Sequence, residues 1–100
     1  MTGSTFSFCA EVWEHDGAAA WYFLQLPEAL ADDIEEQFGH HAAGFGSVRV
    51  EVTIGTTCWR TSLFPDSKRG TYVLPLKKAV RLAEGLDAGS TTEVDLRVIQ

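Results

Sequence analysis

The feature that most constrains the fold is an alternating apolar run that ends at a glycine. Val48, Val50, Val52 and Ile54 occupy every second position of this run, which is the period of a strand with one buried face. Gly55-Thr56 follows, and glycine in first place suits a two-residue hairpin turn. The pattern predicts a hairpin that pairs Ile54 with Thr57, Val52 with Trp59, Val50 with Thr61, Val48 with Leu63 and Glu51 with Arg60.

Further strand patterns lie on both sides of this hairpin. Alternation predicts a first strand over Phe6 to Trp13 and a last strand through Val94, Leu96 and Val98. Ala20 to Leu26 is an almost continuous apolar run, which predicts a strand covered on both faces. The second strand of the hairpin closes at Phe64-Pro65-Asp66, and a further strand begins at Thr71 and is stopped by Pro75.

Two helices are predicted, each after a Leu-Pro step. Pro27 suits a first helical turn, and Leu30, Ile34 and Phe38 recur at four-residue spacing as a buried stripe that Gly39 ends. The second helix follows Pro75 and ends at Gly85. A helical wheel predicts a buried arc of Leu76, Ala79, Val80, Leu82 and Ala83, opposite the exposed Lys77, Lys78 and Arg81.

The chain contains an internal repeat. Each copy is a strand stopped by Leu-Pro, an amphipathic helix, and a strand after a Gly-Ser turn, which is Gly46-Ser47 in the first copy and Gly89-Ser90 in the second. A chance likeness between two β-α-β stretches is the alternative. One hundred residues suffice for one core and not for two. We therefore predict a single domain over 1–100, a mainly β (α+β) barrel of about six to seven strands with two pseudo-two-fold halves, capped by two helices.

Charge is sorted along the chain. The segment Trp59 to Arg81 holds six of the eight Lys and Arg residues and a single acid, Asp66, so it carries about +5 while the remaining residues carry about −11, which together give −6. An acidic protein disfavours general binding to nucleic acid or to anionic membranes. Only the basic segment has the positive charge that binding to nucleic acid or an anionic membrane requires.

The basic segment supplies the candidate ligand-binding residues. Guanidinium, ammonium and hydroxyl groups together suit phosphate or carboxylate, so we predict a binding module for a small anion or an acidic partner, with Arg60 and Arg81 on one surface. A solvated helix face is the alternative interpretation of the helical cations, and a nucleic-acid-binding module is the alternative function. The candidate residues are Arg60, Ser62, Lys68, Arg69, Lys77, Lys78 and Arg81.

No catalytic or metal-binding pattern is present in the sequence. Ser62 lacks a nearby base, the adjacent His40-His41 pair does not suit one metal ion, and no nucleophile elbow, H-E-x-x-H motif or P-loop occurs. We therefore expect no enzymatic activity, no metal and no cofactor.

Three further expectations concern compartment and surface. Cys9 and Cys58 lie in strand patterns, and we expect buried free thiols and no disulfide. Trp13 has the opposite parity to Phe8 and Val12, so it is expected at a rim or a partner surface. The N-terminus has no secretory signal and no apolar run is long enough to span a membrane, so we expect a cytoplasmic protein.

The order of these motifs resembles a known bacterial family. W-R-T-S-L-F-P at Trp59 to Pro65 and G-T-Y-V-L-P-L-K-K-A-V-R at Gly70 to Arg81 are similar to the family called domain of unknown function 1905, and the likeness covers nearly the whole chain. The resemblance implies a monomeric double-split β-barrel, related in shape to the swapped dimer of AbrB-type transcription regulators, which presents basic residues to DNA. It implies almost nothing about function. Relatives usually have Gly-Asp where Gly89-Ser90 stands.

Overall fold

The computed structural model describes residues 5–15, 21–38 and 46–99. Within these ranges the strands close into an antiparallel barrel in the order β1-β2-β5-β4-β3-β6, which confirms the predicted mainly β barrel with two helices. In chain order the elements are β1 (Thr5–His15), β2 (Trp21–Gln25), α1 (Glu28–Phe38), β3 (Val48–Ile54), β4 (Thr57–Asp66), β5 (Thr71–Leu76), α2 (Lys78–Glu84) and β6 (Thr91–Val98).

In this closed barrel, β1 and β4 each pair with one neighbour over the first part of their length and with the other neighbour over the remaining part. The first part of β1 pairs with β6 and its last four residues pair with β2. In the same way, β4 pairs first with β3 and then, from Phe64, with β5. At the change of partner in β1, the Val12 N–H donates to the Ser90 carbonyl and the Val12 carbonyl accepts from the Gly89 N–H, both at 2.8 Å. The two longest strands therefore belong to two sheets each, and this joins the sheets into one barrel.

The predicted hairpin is confirmed pair by pair, from Ile54 with Thr57 to Val48 with Leu63. Gly55 has a φ of +59°, which is the conformation that a glycine at the first turn position supplies. The alternating residues of β3 all point into the barrel and are buried. The periodicity of this segment was therefore sufficient to determine both its register and its inner face.

The two helices lie at opposite ends of the barrel. On α1, Ala31, Ile34 and Phe38 are buried, whereas Leu30 of the predicted stripe is only half-buried. This helix lines one cavity together with Tyr72, near the start of β5. On α2, the Glu84 carboxylate accepts a 2.5 Å hydrogen bond from the Thr57 hydroxyl at the start of β4. Gly39, the predicted end of the first helix, lies outside the described residues.

The buried face predicted for the second helix is confirmed only at Val80. β5 does not stop at Pro75 but continues to Leu76, and the helix starts only at Lys78. Proline is tolerated there because β4 pairs with β5 only as far as Val73. Leu76 is thus buried as a strand residue, Val80 is the buried residue of the helix, and Leu82 is 69% exposed. Ala79 and Ala83, also assigned to the buried arc, are exposed.

Two smaller predictions about segment ends have different outcomes. The helix end at Gly85 is confirmed, since this residue has φ +65° and ψ +38°, the left-handed conformation. The expectation that the second strand is covered on both faces is wrong, because Trp21 is 54% exposed. In a barrel the outer face of a strand is covered only where a helix or loop crosses it, and an apolar run does not show whether one does.

We predict that Gly55→Val destabilises the barrel by about 1–3 kcal/mol, because a β-branched residue is strained at positive φ. A Cβ at this position would also overlap the Glu84 carboxylate. The free energy of unfolding from urea titration measures the effect. Thr56→Val is the matched control, since it puts the same side chain in the same turn and loses only a 3.5 Å hydrogen bond to Glu84. Equal unfolding midpoints for the two variants would contradict the prediction.

Candidate functional site

The outer surface of the barrel is polar on one sheet and largely aromatic on the other. Side chains alternate between the inside and the outside of a strand, so the residues paired across each sheet share its outer face. On the sheet of β6, β3 and the first parts of β1 and β4, that face carries Ser7, Glu51, Cys58, Arg60, Ser62, Asp95 and Arg97. On the sheet of β2, β5 and the remaining parts of β1 and β4, it carries Trp13, His15, Trp21, Phe23, Gln25, Phe64 and Pro75.

The polar face is organised around Glu51. The predicted register of Glu51 with Arg60 is confirmed, but the ion pair of Glu51 is formed with Arg97, its neighbour on β6. The hydrogen bond and the charge of Arg97 lower the pKa of the Glu51 carboxyl, with smaller contributions from the Cys58 thiol and the Arg60 charge. A strand inside a sheet has two neighbours, and the sequence had indicated only the one in the hairpin. Arg60 therefore lies beside an acid that is already paired.

Arg69 is held against the aromatic face. Arg69 lies in the turn between β4 and β5. At the start of this turn, the Asp66 carboxylate accepts hydrogen bonds from the backbone N–H groups of Lys68 at 3.0 Å and of Arg69 at 3.2 Å. The Arg69 guanidinium lies 3.6 Å from Asp66, donates to the Gln25 side-chain oxygen at 3.1 Å, and has its carbon 3.9 Å from the centroid of the Trp13 ring. Lys68 is exposed in the same turn. The two adjacent cations thus have different environments.

Arg81 lies at the other end of the barrel, on α2. Its guanidinium carbon is 3.6 Å from the centroid of the Tyr22 ring, the side chain is half-buried, and its Nε is buried with no hydrogen-bond partner. The nearest acid along the helix, Glu84, is hydrogen-bonded to Thr57. No carboxylate in the described ranges forms an ion pair with Arg81. Lys77 and Lys78, at the start of the same helix, are both exposed.

The fold does not bring the seven predicted site residues together. The six residues of β5 separate the turn of Arg69 from α2, which at about 3.3 Å per residue is roughly 17 Å. Arg60 and Ser62 lie on the polar face, and among the described residues no hydrogen bond or ion pair joins Arg60 to Arg81. The expectation that Arg60 and Arg81 share one surface stays a prediction. Nearness along the basic segment was misleading because its strands and turns reach different sheets and opposite ends of the barrel.

A cleft of about 500 Å³ lies beside Arg69. It is formed where β1, the end of β2 and the start of α1 meet, and its polar and aromatic lining consists of Cys9, Glu11, Trp13, Gln25, Glu28 and Arg69. The expectation that Trp13 points away from the core is confirmed, since its ring packs on Phe23 at 5.0 Å between centroids. The cleft therefore has an aromatic wall and charged groups of both signs.

Both cysteines are free, as predicted, but they are exposed rather than buried. Cys9 pairs with Glu93 and Cys58 with Thr53 on the outer side of the polar sheet. Two further strands, β6 and β3, lie between them, which is about 14 Å at the usual strand spacing. This is too far for a disulfide. Their parity in the strands, opposite to that of the buried residues, was the signal for exposure.

Metal ligands and membrane spans were also sought in the described part of the chain. No group of three or more potential metal ligands occurs there, and His40 and His41 lie outside it. No helix within residues 5–15, 21–38 or 46–99 is long and apolar enough to cross a membrane. His15 is the last residue of β1 and pairs with Trp21.

These features define a class of small, closed antiparallel β-barrel with a helix at each end and with arginine side chains stacked on outer or terminal aromatic rings. The chain belongs to the family described as Domain of unknown function (DUF1905), whose model matches residues 8–96. The resemblance in the sequence is thus confirmed, and the family description assigns no function. No curated protein matches the chain.

Two contact residues were missed by sequence reasoning. Gln25 orients Arg69 and Tyr22 supports Arg81, yet both lie in the apolar run that was interpreted only as core. Gln25 had a signal, since it is the one polar side chain inside that run. Tyr22 had none, because its contact depends on where α2 packs.

We predict that the ion pair on the polar face makes stability depend on acid pH. The folded-state pKa of Glu51 is lowered from its ordinary value of 4.5, so its contribution is fully present above that value and is lost as the pH falls through the folded-state pKa. Carboxyl ¹³C NMR titration measures the pKa of Glu51 in the folded protein. Arg97→Ala should return the pKa towards 4.5, whereas Arg49→Ala, which removes the same charge from the same face, should not. An unchanged Glu51 titration in Arg97→Ala would contradict this assignment.

Proposed function

We propose that the barrel is a binding module for a small anion with phosphate or carboxylate groups, bound at α2 by Arg81 with help from Lys77 and Lys78. One observation carries the proposal: Arg81 is a half-buried cation stacked on Tyr22 with no ion pair in the described part of the chain. Buried or partly buried charges are normally paired. An anion from solution would complete this pairing.

The surroundings of Arg81 support the same conclusion. Stacking on Tyr22 holds the guanidinium plane, and a planar fork held in place loses little entropy when it binds a carboxylate or phosphate in two-point fashion. Glu84, one helical turn away, is held by the Thr57 hydroxyl. The exposed Lys77 and Lys78 add positive potential beside the fork. The proposal does not include Arg60 and Ser62 of β4, or Lys68 and Arg69 of the turn before β5.

The proposal includes a double-split barrel with a pseudo-two-fold axis. Exchanging β1-β2-α1-β3 with β4-β5-α2-β6 preserves every strand neighbour in the closed order, and the glycines of the two Gly-Ser turns have similar φ angles, +88° at Gly46 and +93° at Gly89. The counterpart of α2 is then α1, which carries five acids and no base. A basic helix presented once suits a small anion better than a nucleic-acid duplex, which AbrB-type dimers contact with two equivalent surfaces.

We predict that sulfate raises the melting temperature above that in chloride at matched ionic strength. An anion at about ten times its Kd stabilises the folded state by about 1.4 kcal/mol, which is roughly 6–10 °C for a domain of this size. Arg81→Ala should lose this gain. Lys68→Ala is the matched control and should keep the gain, because it removes the same charge from an exposed position at the other end of β5.

Three outcomes would contradict the anion site. Equal melting in the two salts would leave α2 as a solvated helix. An undiminished gain in Arg81→Ala would place the anion elsewhere, and equal losses in both variants would mean that only net charge matters. A gel-shift assay with duplex DNA across a salt series tests the competing class, because phosphate-mediated binding weakens steeply with salt.

We also predict a monomer at micromolar concentration. Both halves that a swapped dimer would combine are already present in one chain, and the closed order of strands offers no free edge in the described barrel. Light scattering should report the mass of a single chain. A stable dimer would overturn the monomer prediction, but not the anion site.

A further inference from the structure

Four planar groups form a continuous stack on the aromatic face. The rings of Trp21 and Phe23 are 6.1 Å apart and inclined by 18°, those of Phe23 and Trp13 are 5.0 Å apart and inclined by 31°, and the Arg69 guanidinium follows at 3.9 Å from Trp13. The stack begins at an exposed tryptophan and ends at a guanidinium that lines the cleft. One face of this last planar group is covered by Trp13.

The guanidinium is fixed in its plane by more than the ring beneath it. Gln25 accepts from one terminal nitrogen and Asp66 is paired with Nε. The N–H bonds of a guanidinium lie in its plane, so the hydrogen bond to Gln25 orients the side chain without using its second face. A fixed planar cation of this kind stacks readily on another flat π-system. The cleft of about 500 Å³ on this side is within the usual size range of small-molecule sites.

The charges in the cleft argue against an anion. Glu11 and Glu28 line it, and part of the charge of Arg69 is already balanced by Asp66. An incoming carboxylate or phosphate would therefore meet two carboxylates for one paired cation. Ionised carboxylates accept hydrogen bonds and cannot donate them. The lining thus suits a group that offers N–H donors along one edge, and stacking on the positively charged Arg69 favours an uncharged ring over a cationic one.

The geometry points to a binding site for a planar, uncharged nitrogen heterocycle with adjacent N–H donors, the chemistry shared by guanine and related bases. The ring stacks on Arg69, and its N–H edge donates to the carboxylate of Glu11 or Glu28. Gln25 and Asp66 are positioning residues that hold the guanidinium flat. This site is independent of the anion site at α2, because the two lie at opposite ends of β5.

Guanosine is the probe, because its base has the required edge and it is uncharged near neutral pH. In a ¹H–¹⁵N NMR titration we expect it to shift the Arg69 side chain and the Trp13 indole N–H. Inosine, which lacks the exocyclic amine, should bind about tenfold more weakly, and glucose should cause no shift. Binding should change little with salt, in contrast to sulfate binding at α2. No shift with guanosine at millimolar concentration, or equal shifts with glucose, would overturn the proposal.

Matched variants separate stacking from charge. Arg69→Ala should weaken guanosine binding by about tenfold or more, and so should Arg69→Lys, which keeps the charge but loses the plane. Lys68→Ala removes the same charge from the adjacent exposed position and should leave binding unchanged. If Arg69→Lys binds like the parent protein, stacking is not the interaction and the proposal fails.

The carboxylates are tested in the same way. Glu11→Gln and Glu28→Gln each keep the size of the side chain and remove an ionised acceptor, so at least one should weaken guanosine binding more than inosine binding. Unchanged guanosine affinity in both variants would overturn the edge recognition. The sulfate response at Arg81 should persist in all of these variants, so failure of this site is distinguishable from failure of the anion site.

Discussion

The structure depends on the change of hydrogen-bonding partner along β1 and β4. Each strand is long enough to pair with one neighbour over its first part and with another over its second, and this joins two sheets into a closed barrel. Closure satisfies the strand edges that a small open sheet would leave exposed. It also divides the outer surface into a polar face and an aromatic face, because the residues outward from one sheet belong to different parts of the chain from those outward from the other.

Two arginines are stacked on aromatic rings at opposite ends of this barrel, and they differ in which of their nitrogens have hydrogen-bond or ion-pair partners. The nitrogens of Arg69 contact the Gln25 amide and the Asp66 carboxylate. The interaction still open to Arg69 is therefore stacking on the uncovered face of its guanidinium plane. The guanidinium of Arg81 is stacked on Tyr22 and its Nε has no hydrogen-bond partner. The interactions still open to Arg81 are therefore an ion pair and hydrogen bonds. The same residue type thus suits a flat neutral ligand in one place and an anion in the other.

The predictable parts of the fold were those with strong local patterns. The β3–β4 register followed from alternation and one glycine, and α1 followed from a proline and a four-residue apolar spacing. The face of α2 was mispredicted because Pro75 was interpreted as a strand end, although a proline beyond the last β4 pair removes no bond from that ladder. The exposed thiols were mispredicted because composition was followed instead of parity. In both places the sequence contained the relevant signal, the position of the proline or the parity of the cysteines. Its interpretation depended on how the neighbouring strand pairs.

The sequence by itself determined the strands, the helices, the hairpin register and the sorting of charge, because these depend on side-chain period and on the backbone preferences of glycine and proline over a few residues. Only the tertiary structure decided which arginine pairs with Glu51, which rings support Arg69 and Arg81, and that the basic segment is divided between two ends of the barrel. These features depend on pairs of strands far apart in the chain, such as β1 with β6 and β2 with β5. The energy of such pairs is shared across the whole closed barrel, so no single segment specifies them.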